Sequence, residues 1–287
     1  MPTADPLALA EVPPLGPGEF DQIRRLAYRA CGLDLKAGKE DLVNSRLFRL
    51  LRDGRFRSFH EYYRSVLEDR TGVALAHMID ALATNHTSFL REPEHFDFLR
   101  AHAAELARSR GTFEVWSAGC STGEEVWSLA CLLDQVLPGA RTRIWGTDIS
   151  NKALAVAGQA VYPAERCRPL PAGWLARYFE AQADPARQYR ASAALRDRAV
   201  FRRLNLIERL CWAQQFPVIF CRNVMIYFDR PTQEAVVRQL EQALEPGGYL
   251  FIGHAESLAR IPHSLEYVRP AVFRRPPAKG GRWNRSS

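Results

Sequence analysis

Residues 113–130, FEVWSAGCSTGEEVWSLA, constrain the fold of this chain more than any other stretch. Five residues of strand character run into a turn of small residues, and a helix-like run with apolar side chains follows. A strand, a glycine turn and a helix open the nucleotide-binding units of α/β proteins. Gly119 and Gly123 allow the backbone to approach a ligand closely and to adopt dihedral angles that other residues resist. The stretch therefore predicts an α/β domain with a ligand at this turn.

The charge of the turn argues against a phosphate ligand. Neither the G-x-G-x-x-G fingerprint nor the Gly-Lys-Ser/Thr of a P-loop is present. Glu124 and Glu125 stand instead at the start of the helix, where they complement the helix dipole but would repel a pyrophosphate. They suit a cationic or hydroxyl-rich ligand such as S-adenosylmethionine. The alternative is a tight turn in which the two glutamates only cap the helix.

Polar residues also follow two other predicted strands. The strand at residues 143–147 ends at Asp148, which could accept hydrogen bonds from ribose hydroxyls or could cap the next helix; the upstream glycine turn favours the ribose. The strand at residues 217–221 leads directly into Arg222 and Asn223. Open α/β sheets bind ligands at the carboxyl ends of their strands, so these residues are candidates for the same site.

The rest of the 287-residue chain is organised around this α/β domain. Helical periodicity predicts an N-terminal all-α domain, and a polar segment at residues 83–97 joins it to the sheet. The predicted order is a disordered leader at 1–17, the helical domain at 18–82, the α/β domain at 83–276 with a small antiparallel excursion at 184–203, and a basic disordered tail at 277–287.

A cluster of arginines marks the second predicted helix, at residues 39–52. The inward side of this helix is expected to include Leu42, and Asp53 is the one acid beside the outward arginines. These arginines lie on the helix and in the turn after it, and they are Arg46, Arg49, Arg52, Arg55 and Arg57, the first four of which are the candidate docking residues. A run of charge is usually a solvated helix face. The alternative is a docking surface for an acidic partner.

The composition excludes several classes of protein. The net charge is +7, but six basic residues and no acid lie from Arg269 onward, so only +1 remains for the rest and nucleic-acid binding is not expected. No apolar run approaches the ~20 residues of a membrane helix, and the N-terminus does not resemble a signal peptide. We therefore expect a cytoplasmic monomer without membrane insertion.

The cysteines and histidines do not predict a metal site. The six cysteines form no C-x-x-C pair and have no accompanying histidine cluster. His86 and His95 are expected to be structural. Reduced thiols in the core or beside the ligand are the simplest interpretation of the cysteines.

Several segments together resemble one family, the CheR-type chemotaxis receptor methyltransferases, which are S-adenosylmethionine-dependent protein-glutamate O-methyltransferases. The resemblance extends over residues 19–275. The segments that carry it are NHTSFLREPEHF (85–96), WSAGCSTGEEVWSLA (116–130), GTDIS (146–150), FRRLNL (201–206), FCRNVMIYFD (220–229) and LEPGGYLFIGHAESL (244–258). It implies a Rossmann-like methyltransferase sheet with a small antiparallel subdomain, preceded by an all-α domain.

The resemblance also implies roles for residues at matching positions. The implied cofactor-binding residues are Asn85, Thr87, Arg91, Ala118, Gly119, one or both of Glu124 and Glu125, Asp148, Asn205, Leu206, Arg222 and Asn223. Arg91 and Tyr227 are the implied residues that orient the acceptor glutamate. The implied partner is the cytoplasmic helical region of chemoreceptors, and the arginine cluster would suit its acidic methylation helices.

Glutamate methylation is consistent with these implied residues, which include no general base. A glutamate with a pKa near ~4.3 is already ionised at neutral pH and needs none.

Residues 184–203 lack the glycine-containing loop with which some members bind a receptor's C-terminal pentapeptide, which predicts pentapeptide-independent binding. Two alternatives stay open. One is a methyltransferase of a regulatory protein outside chemotaxis, and the other is a non-catalytic S-adenosylmethionine-binding signalling module.

Overall fold

The chain divides after Thr84 into two units, Met1–Thr84 and Asn85–Ser287. The structure is a computed structural model that describes residues 13–108, 110–183 and 187–277. The expected leader lies largely outside the described residues, as does most of the expected tail. Within these ranges no helix is both long enough and apolar enough to cross a bilayer.

The first unit is built from amphipathic helices. They are α1 (Pro17–Cys31), α2 (Glu40–Asp53), α3 (Phe59–Glu68) and α4 (Val73–Leu82). Local caps explain two of the boundaries. Gly32 adopts a left-handed conformation with φ 73° at the end of α1, and the Ser58 hydroxyl accepts a 3.1 Å hydrogen bond from the Glu61 N–H at the start of α3.

The core of this unit corrects one prediction for α2. The buried residues of α2 are Val43, Leu47 and Leu51, which recur every four residues along one face. Leu42 was expected to point inward, but it lies beside this stripe and is 39% exposed. The prediction was wrong because two adjacent apolar residues on a helix point in directions about 100° apart. The sequence alone does not show which of the two faces the core.

The second unit is an α/β domain with a central seven-stranded sheet in the order β6-β2-β1-β7-β8-β10-β9. Its helices are α5 (Pro93–Ala107), α6 (Glu124–Val136), α7 (Asn151–Gln159), α8 (Ala164–Cys167), α9 (Ala172–Tyr178), α10 (Ala193–Arg196) and α11 (Arg230–Ala243). Its strands are β1 (Phe113–Ala118), β2 (Thr142–Asp148), β3 (Val161–Pro163), β4 (Phe179–Ala181), β5 (Gln188–Ala191), β6 (Ala199–Arg203), β7 (Phe216–Cys221), β8 (Leu244–Ile252), β9 (Glu266–Arg269) and β10 (Val272–Arg274).

Alternation along the strands gives the sheet two apolar faces. Val115 and Phe220 belong to the core that also contains α6, whereas Trp116 and Ile219 belong to the core that contains α11. Strands β6, β2, β1, β7 and β8 pair in parallel, and the β9–β10 hairpin adds antiparallel strands at one edge, as the sequence predicted. The Rossmann-like sheet and the preceding all-α unit confirm the predicted fold class.

The small antiparallel sheet begins earlier than predicted. It has the order β3-β5-β4 and therefore extends from Val161 to Ala191 instead of 184–203. Strand β6, which overlaps the end of the predicted excursion, is a core strand that pairs in parallel with β2 in the main sheet. Tyr162 lies in β3 and donates a 2.7 Å hydrogen bond to the Thr122 carbonyl. Three-residue strands have too little alternation to be recognised from sequence.

Candidate active site

The candidate site lies where the order of the sheet reverses. Strand β1 pairs with β2 on one side and with β7 on the other. In an open α/β sheet this arrangement leaves a crevice at the carboxyl ends of the strands, where ligands bind. Ala118, Asp148 and Arg222 stand at or directly after these three strand ends.

Two positions of the turn after β1 require glycine, both because of their backbone dihedral angles and because neighbouring atoms leave no room for a side chain. Gly119 (φ 83°) donates a 2.7 Å hydrogen bond to the Thr147 carbonyl, and a Cβ at this position would overlap Val224. Gly123 (φ 94°) starts α6, where a Cβ would lie 2.8 Å from the Ala157 Cβ. Side chains are therefore excluded at both positions on two grounds.

Asp148 joins the glycine turn to the start of α7. Its carboxylate accepts hydrogen bonds from the Ser121 N–H at 2.8 Å and from the Ser150 N–H at 2.9 Å. The cap of α7 is Ser150, whose hydroxyl accepts from the Ala153 N–H at 3.0 Å. The alternative that Asp148 caps the next helix is therefore wrong, because the neighbouring serine performs that role.

The two adjacent glutamates of the turn point into different surroundings. Glu124 is fully buried and pairs with Arg166, while the Thr122 hydroxyl donates to it at 2.8 Å. Arg166 comes from α8, beside the small antiparallel sheet, and also donates to Thr122 at 2.8 Å. Burial raises the pKa of Glu124. This glutamate therefore connects the turn to the small subdomain.

Glu125 faces the carboxyl ends of the central strands instead. Its carboxylate accepts a 2.6 Å hydrogen bond from the Ser117 hydroxyl of β1 and lies 3.5 Å from the Arg222 guanidinium after β7. Burial raises the pKa of Glu125, and the charges of Arg222 and Arg91 oppose this effect. The Glu125 carboxylate is thus directed into the crevice.

Arg222 is the centre of a buried polar cluster. Its side chain is only 2% exposed, lies near the Phe96 and Phe220 rings, and donates to the Arg91 carbonyl. The Glu92 carboxylate lies 3.4 Å from the guanidinium on another side. A buried arginine requires such partners, because an unpaired buried charge is costly.

The segment after Arg222 is held by a glutamate that the sequence did not single out. The Glu256 carboxylate accepts hydrogen bonds from the N–H groups of Asn223 (2.9 Å), Met225 (2.7 Å) and Gly253 (2.6 Å). Asn223 adopts a left-handed conformation with φ 59°. These bonds fix the short turn that carries Tyr227, which is half-buried.

The remaining predicted residues come from two segments of the second unit. Asn85 lies 3.4 Å from the Ser150 hydroxyl, within hydrogen-bond reach, and Thr87 is half-buried. The Arg91 guanidinium donates to the His86 carbonyl at 2.9 Å. Asn85 thus reaches the residue that caps α7.

Asn205 and Leu206 follow β6 and are buried. The Leu204 N–H donates a 3.0 Å hydrogen bond to the Asp148 carbonyl, which places these residues beside the end of β2. Asn205 in turn donates to Glu208 at 2.9 Å. The fold thus brings Asn205, Leu206 and Asp148 to neighbouring strand ends.

Two family models match this chain. The model described as the CheR methyltransferase SAM binding domain matches residues 85–272, and the CheR methyltransferase all-alpha domain matches residues 18–83. The chain belongs to the CheR methyltransferase family. It is accordingly an S-adenosylmethionine-dependent methyltransferase, as the sequence resemblance predicted.

Curated relatives agree with this assignment over nearly the whole chain. A chemotaxis protein methyltransferase of Borreliella burgdorferi is 35% identical, covering 90% of this chain and 94% of the relative. Chemotaxis protein methyltransferase 2 of Pseudomonas aeruginosa is 38% identical, with coverage of 89% and 92%. The chemotaxis protein methyltransferase of Klebsiella aerogenes is 39% identical, with coverage of 91% and 90%.

The charges of the crevice suit the cofactor of a CheR methyltransferase. The Glu125 carboxylate is directed into the crevice, where it can accept hydrogen bonds from the cationic amino group of a methionine moiety. Ser121, in the glycine turn, has a buried hydroxyl without a hydrogen-bond partner among the described residues. An orphaned donor beside Asp148 fits a hydroxyl-bearing ligand.

Three residues of this CheR methyltransferase site were missed by sequence reasoning. Glu92 and Glu256 lie within segments that carry the family resemblance, so the sequence marked the segments. It did not show which residues these two carboxylates would contact. Arg166 had no signal, because its contact with Glu124 crosses from the small subdomain to the glycine turn. Such contacts depend on tertiary structure alone.

Proposed function

We propose that this enzyme transfers methyl groups to glutamate carboxylates in the cytoplasmic helical region of chemoreceptors. The observation that carries the proposal is the position of Arg91. Its backbone is held by Arg222, and its charge lies close enough to Glu125 to oppose the rise of that carboxyl's pKa. Arg91 therefore offers a guanidinium beside the cationic end of the cofactor, where an acceptor carboxylate must arrive.

Arg91 and Tyr227 would orient the acceptor. The cofactor supplies an activated methyl group, which a glutamate carboxylate accepts to give a methyl ester and S-adenosylhomocysteine. An arginine and a phenol can hold one carboxylate oxygen so that the other faces the methyl group. The enzyme contributes position and partial desolvation to a weak nucleophile that is already ionised.

Only one of the two adjacent glutamates is assigned a contact with the cofactor. We assign the methionine amino group to Glu125, because Glu125 shares the strand ends with Arg222, whereas Glu124 is already paired with Arg166. Asp148 would accept the ribose hydroxyls, and Asn205 and Leu206 would border the adenine. Asn85, Thr87, Ala118, Gly119, Arg222 and Asn223 complete the proposed cofactor site.

The exposed face of α2 is the proposed receptor-docking surface. Arg49 and Arg52 are exposed and share Asp53 as a partner, at 3.5 and 3.2 Å. Exposed ion pairs of this kind contribute little, so both arginines can exchange Asp53 for an acidic partner at small cost. Phe48, on the same helix, is 40% exposed. Together with Arg55, these residues would suit an acidic amphipathic helix.

Arg46, which was predicted to dock the receptor with the other arginines, is used inside the first unit. Its guanidinium donates to the Leu82 carbonyl and to the Thr84 hydroxyl, the latter at 3.0 Å. It thereby satisfies a carbonyl at the end of α4, where helical hydrogen bonds run out. We therefore leave Arg46 out of the proposed docking surface.

The decisive experiment combines the purified enzyme, methyl-tritiated S-adenosylmethionine and membranes that contain candidate chemoreceptors. Label in the receptor band that mild base releases as volatile methanol would establish a carboxyl methyl ester. Cofactor binding without ester formation on any receptor would overturn the proposed acceptor. Pentapeptide-independent docking is tested separately by titration calorimetry, where micromolar binding of a receptor C-terminal pentapeptide would contradict it.

A further inference from the structure

Three side chains behind Arg222 form a compact cluster of potential metal ligands. Glu92 directly precedes α5, His95 lies in the first turn of that helix, and His254 follows β8. Their potential ligand atoms all lie within 4.8 Å of one another. The Glu92 carboxylate is 3.5 Å from His95 Nδ1, and the two imidazole rings are perpendicular with centroids 4.9 Å apart.

His95 is the unusual member of the cluster. Its side chain is 1% exposed, and neither ring nitrogen has a hydrogen-bond partner among the described residues. The nearby Oε2 atom of Glu92 also accepts no hydrogen bond within the same ranges, although it forms an ion pair with Arg222 at 3.4 Å. Leaving both ring nitrogens of a buried histidine without a hydrogen bond costs stability. Such atoms point to a ligand that supplies the missing bonds.

We propose that Glu92, His95 and His254 bind one transition-metal dication of the Zn²⁺ class. Bonds of about 2.0–2.1 Å in a tetrahedral site separate neighbouring ligand atoms by about 3.3 Å, close to the Glu92–His95 distance. His254 is exposed and gives the ion a route from solvent, with an open position for water. Two imidazoles and one carboxylate select Zn²⁺, Co²⁺ or Ni²⁺ over Mg²⁺ or Ca²⁺, which prefer oxygen ligands.

Metal binding at this site is coupled to the crevice through Glu92. The carboxylate atom that would ligate the ion is the one 3.4 Å from Arg222, so it cannot serve both partners fully. Arg222 in turn contacts the Arg91 carbonyl and Glu125. Occupancy therefore loosens Arg222 and slows methyl transfer. The positive charge of Arg222 also weakens the site, which makes the ion a reversible inhibitor instead of a structural component.

The test titrates the untagged full-length enzyme with Co²⁺ and follows its visible absorption. The background variant is Cys211→Ser, because Cys211 is the exposed cysteine of the chain and could bind the probe. We expect saturable binding of one ion, lost in His254→Ala and retained in His60→Ala, where an exposed histidine of α3 serves as the matched control. Zn²⁺ should displace the Co²⁺ signal.

Thermal unfolding provides a readout that is independent of activity. Zn²⁺ should raise the melting temperature of the parent and of His60→Ala but not that of His254→Ala, because an ion that binds only the folded state stabilises it. In the presence of chelator all three proteins should melt alike. Unchanged Co²⁺ binding in His254→Ala, or no saturable binding below about 1 mM, would overturn the proposal.

Discussion

Replacing Glu125 by glutamine tests the division of roles between the two adjacent glutamates. The variant keeps the shape of the side chain and its contact with the Ser117 hydroxyl but removes the negative charge that we assign to the cofactor's amino group. Hydrogen bonds to charged groups contribute about 1.5–3 kcal/mol. Each ~1.4 kcal/mol is a factor of ten in affinity, so we expect about 10- to 100-fold weaker binding.

We expect the loss of cofactor affinity to stay within this range because Arg222 keeps a second acidic partner. Glu92 stays 3.4 Å from Arg222 in the variant, so the buried guanidinium retains one carboxylate partner. Isothermal titration calorimetry with S-adenosylmethionine and with S-adenosylhomocysteine measures the effect. Both ligands have the amino group, and both should lose affinity by similar factors.

Glu124→Gln is the matched control, because it makes the same chemical change one residue earlier. It breaks the pair with Arg166 and should lower the melting temperature while cofactor affinity stays within a few-fold of the parent. If Glu124→Gln weakens cofactor binding more than Glu125→Gln does, the assignment is reversed and the reasoning from the two surroundings is wrong.

Four further perturbations follow from the same geometry. Burial raises the pKa of Glu125, so its contribution to apo-protein stability is present at low pH and is lost as pH rises through the raised pKa. The cationic cofactor binds the ionised form, so affinity measured by calorimetry from about pH 5 to 8 should fall as pH decreases. Arg91→Ala should reduce methyl transfer by about 100-fold or more, with cofactor affinity changed much less, because acceptor positioning is lost. Gly119→Ala should lower the free energy of unfolding by about 1–3 kcal/mol in denaturant titrations, since it adds a side chain at positive φ against a neighbouring valine. The double variant Arg49→Glu/Arg52→Glu should raise KM for receptor in the methylation assay and leave cofactor affinity unchanged.

Each of these perturbations has its own control. Glu125→Gln should lack the pH dependence of cofactor affinity, and a full dependence in that variant would assign it to another group. Near-normal transfer by Arg91→Ala would remove that residue from acceptor positioning. Gly158→Ala is the comparison for the glycine turn, because a Cβ there meets no atom within 4 Å. Arg64→Glu, on α3, is the comparison for α2, and an equal rise in KM in this variant would indicate a general charge effect.

The sequence was sufficient for those parts of the site that depend on local pattern and strand order. The glycine turn, Asp148 and Arg222 each follow a strand that hydrophobic runs identify, and parallel strands bring their carboxyl ends to one edge. Leu42 shows where local pattern is insufficient, because one residue of rotation decides between core and solvent. The Arg166–Glu124 pair shows the same limit for contacts between distant segments.

The backbone conformations of the crevice were outside the reach of composition and periodicity. Leu90, Glu92, Ser121 and Asn223 adopt left-handed conformations with φ of 51°, 55°, 51° and 59°. Non-glycine residues have a cost of about 1–2 kcal/mol there, and only asparagine among these four residue types favours the conformation. All four lie in segments that supply proposed cofactor or acceptor contacts.

Specific hydrogen bonds offset this cost and thereby fix the site before any ligand arrives. The Leu90 N–H donates to the Ser128 hydroxyl at 3.0 Å, and the Ser121 N–H donates to Asp148 at 2.8 Å. Glu256 holds the N–H groups on both sides of the turn at Asn223. A carboxylate is a weak nucleophile toward a methyl group, so rate must come from position. A backbone that such hydrogen bonds hold in left-handed conformations provides fixed positions that a relaxed loop would not.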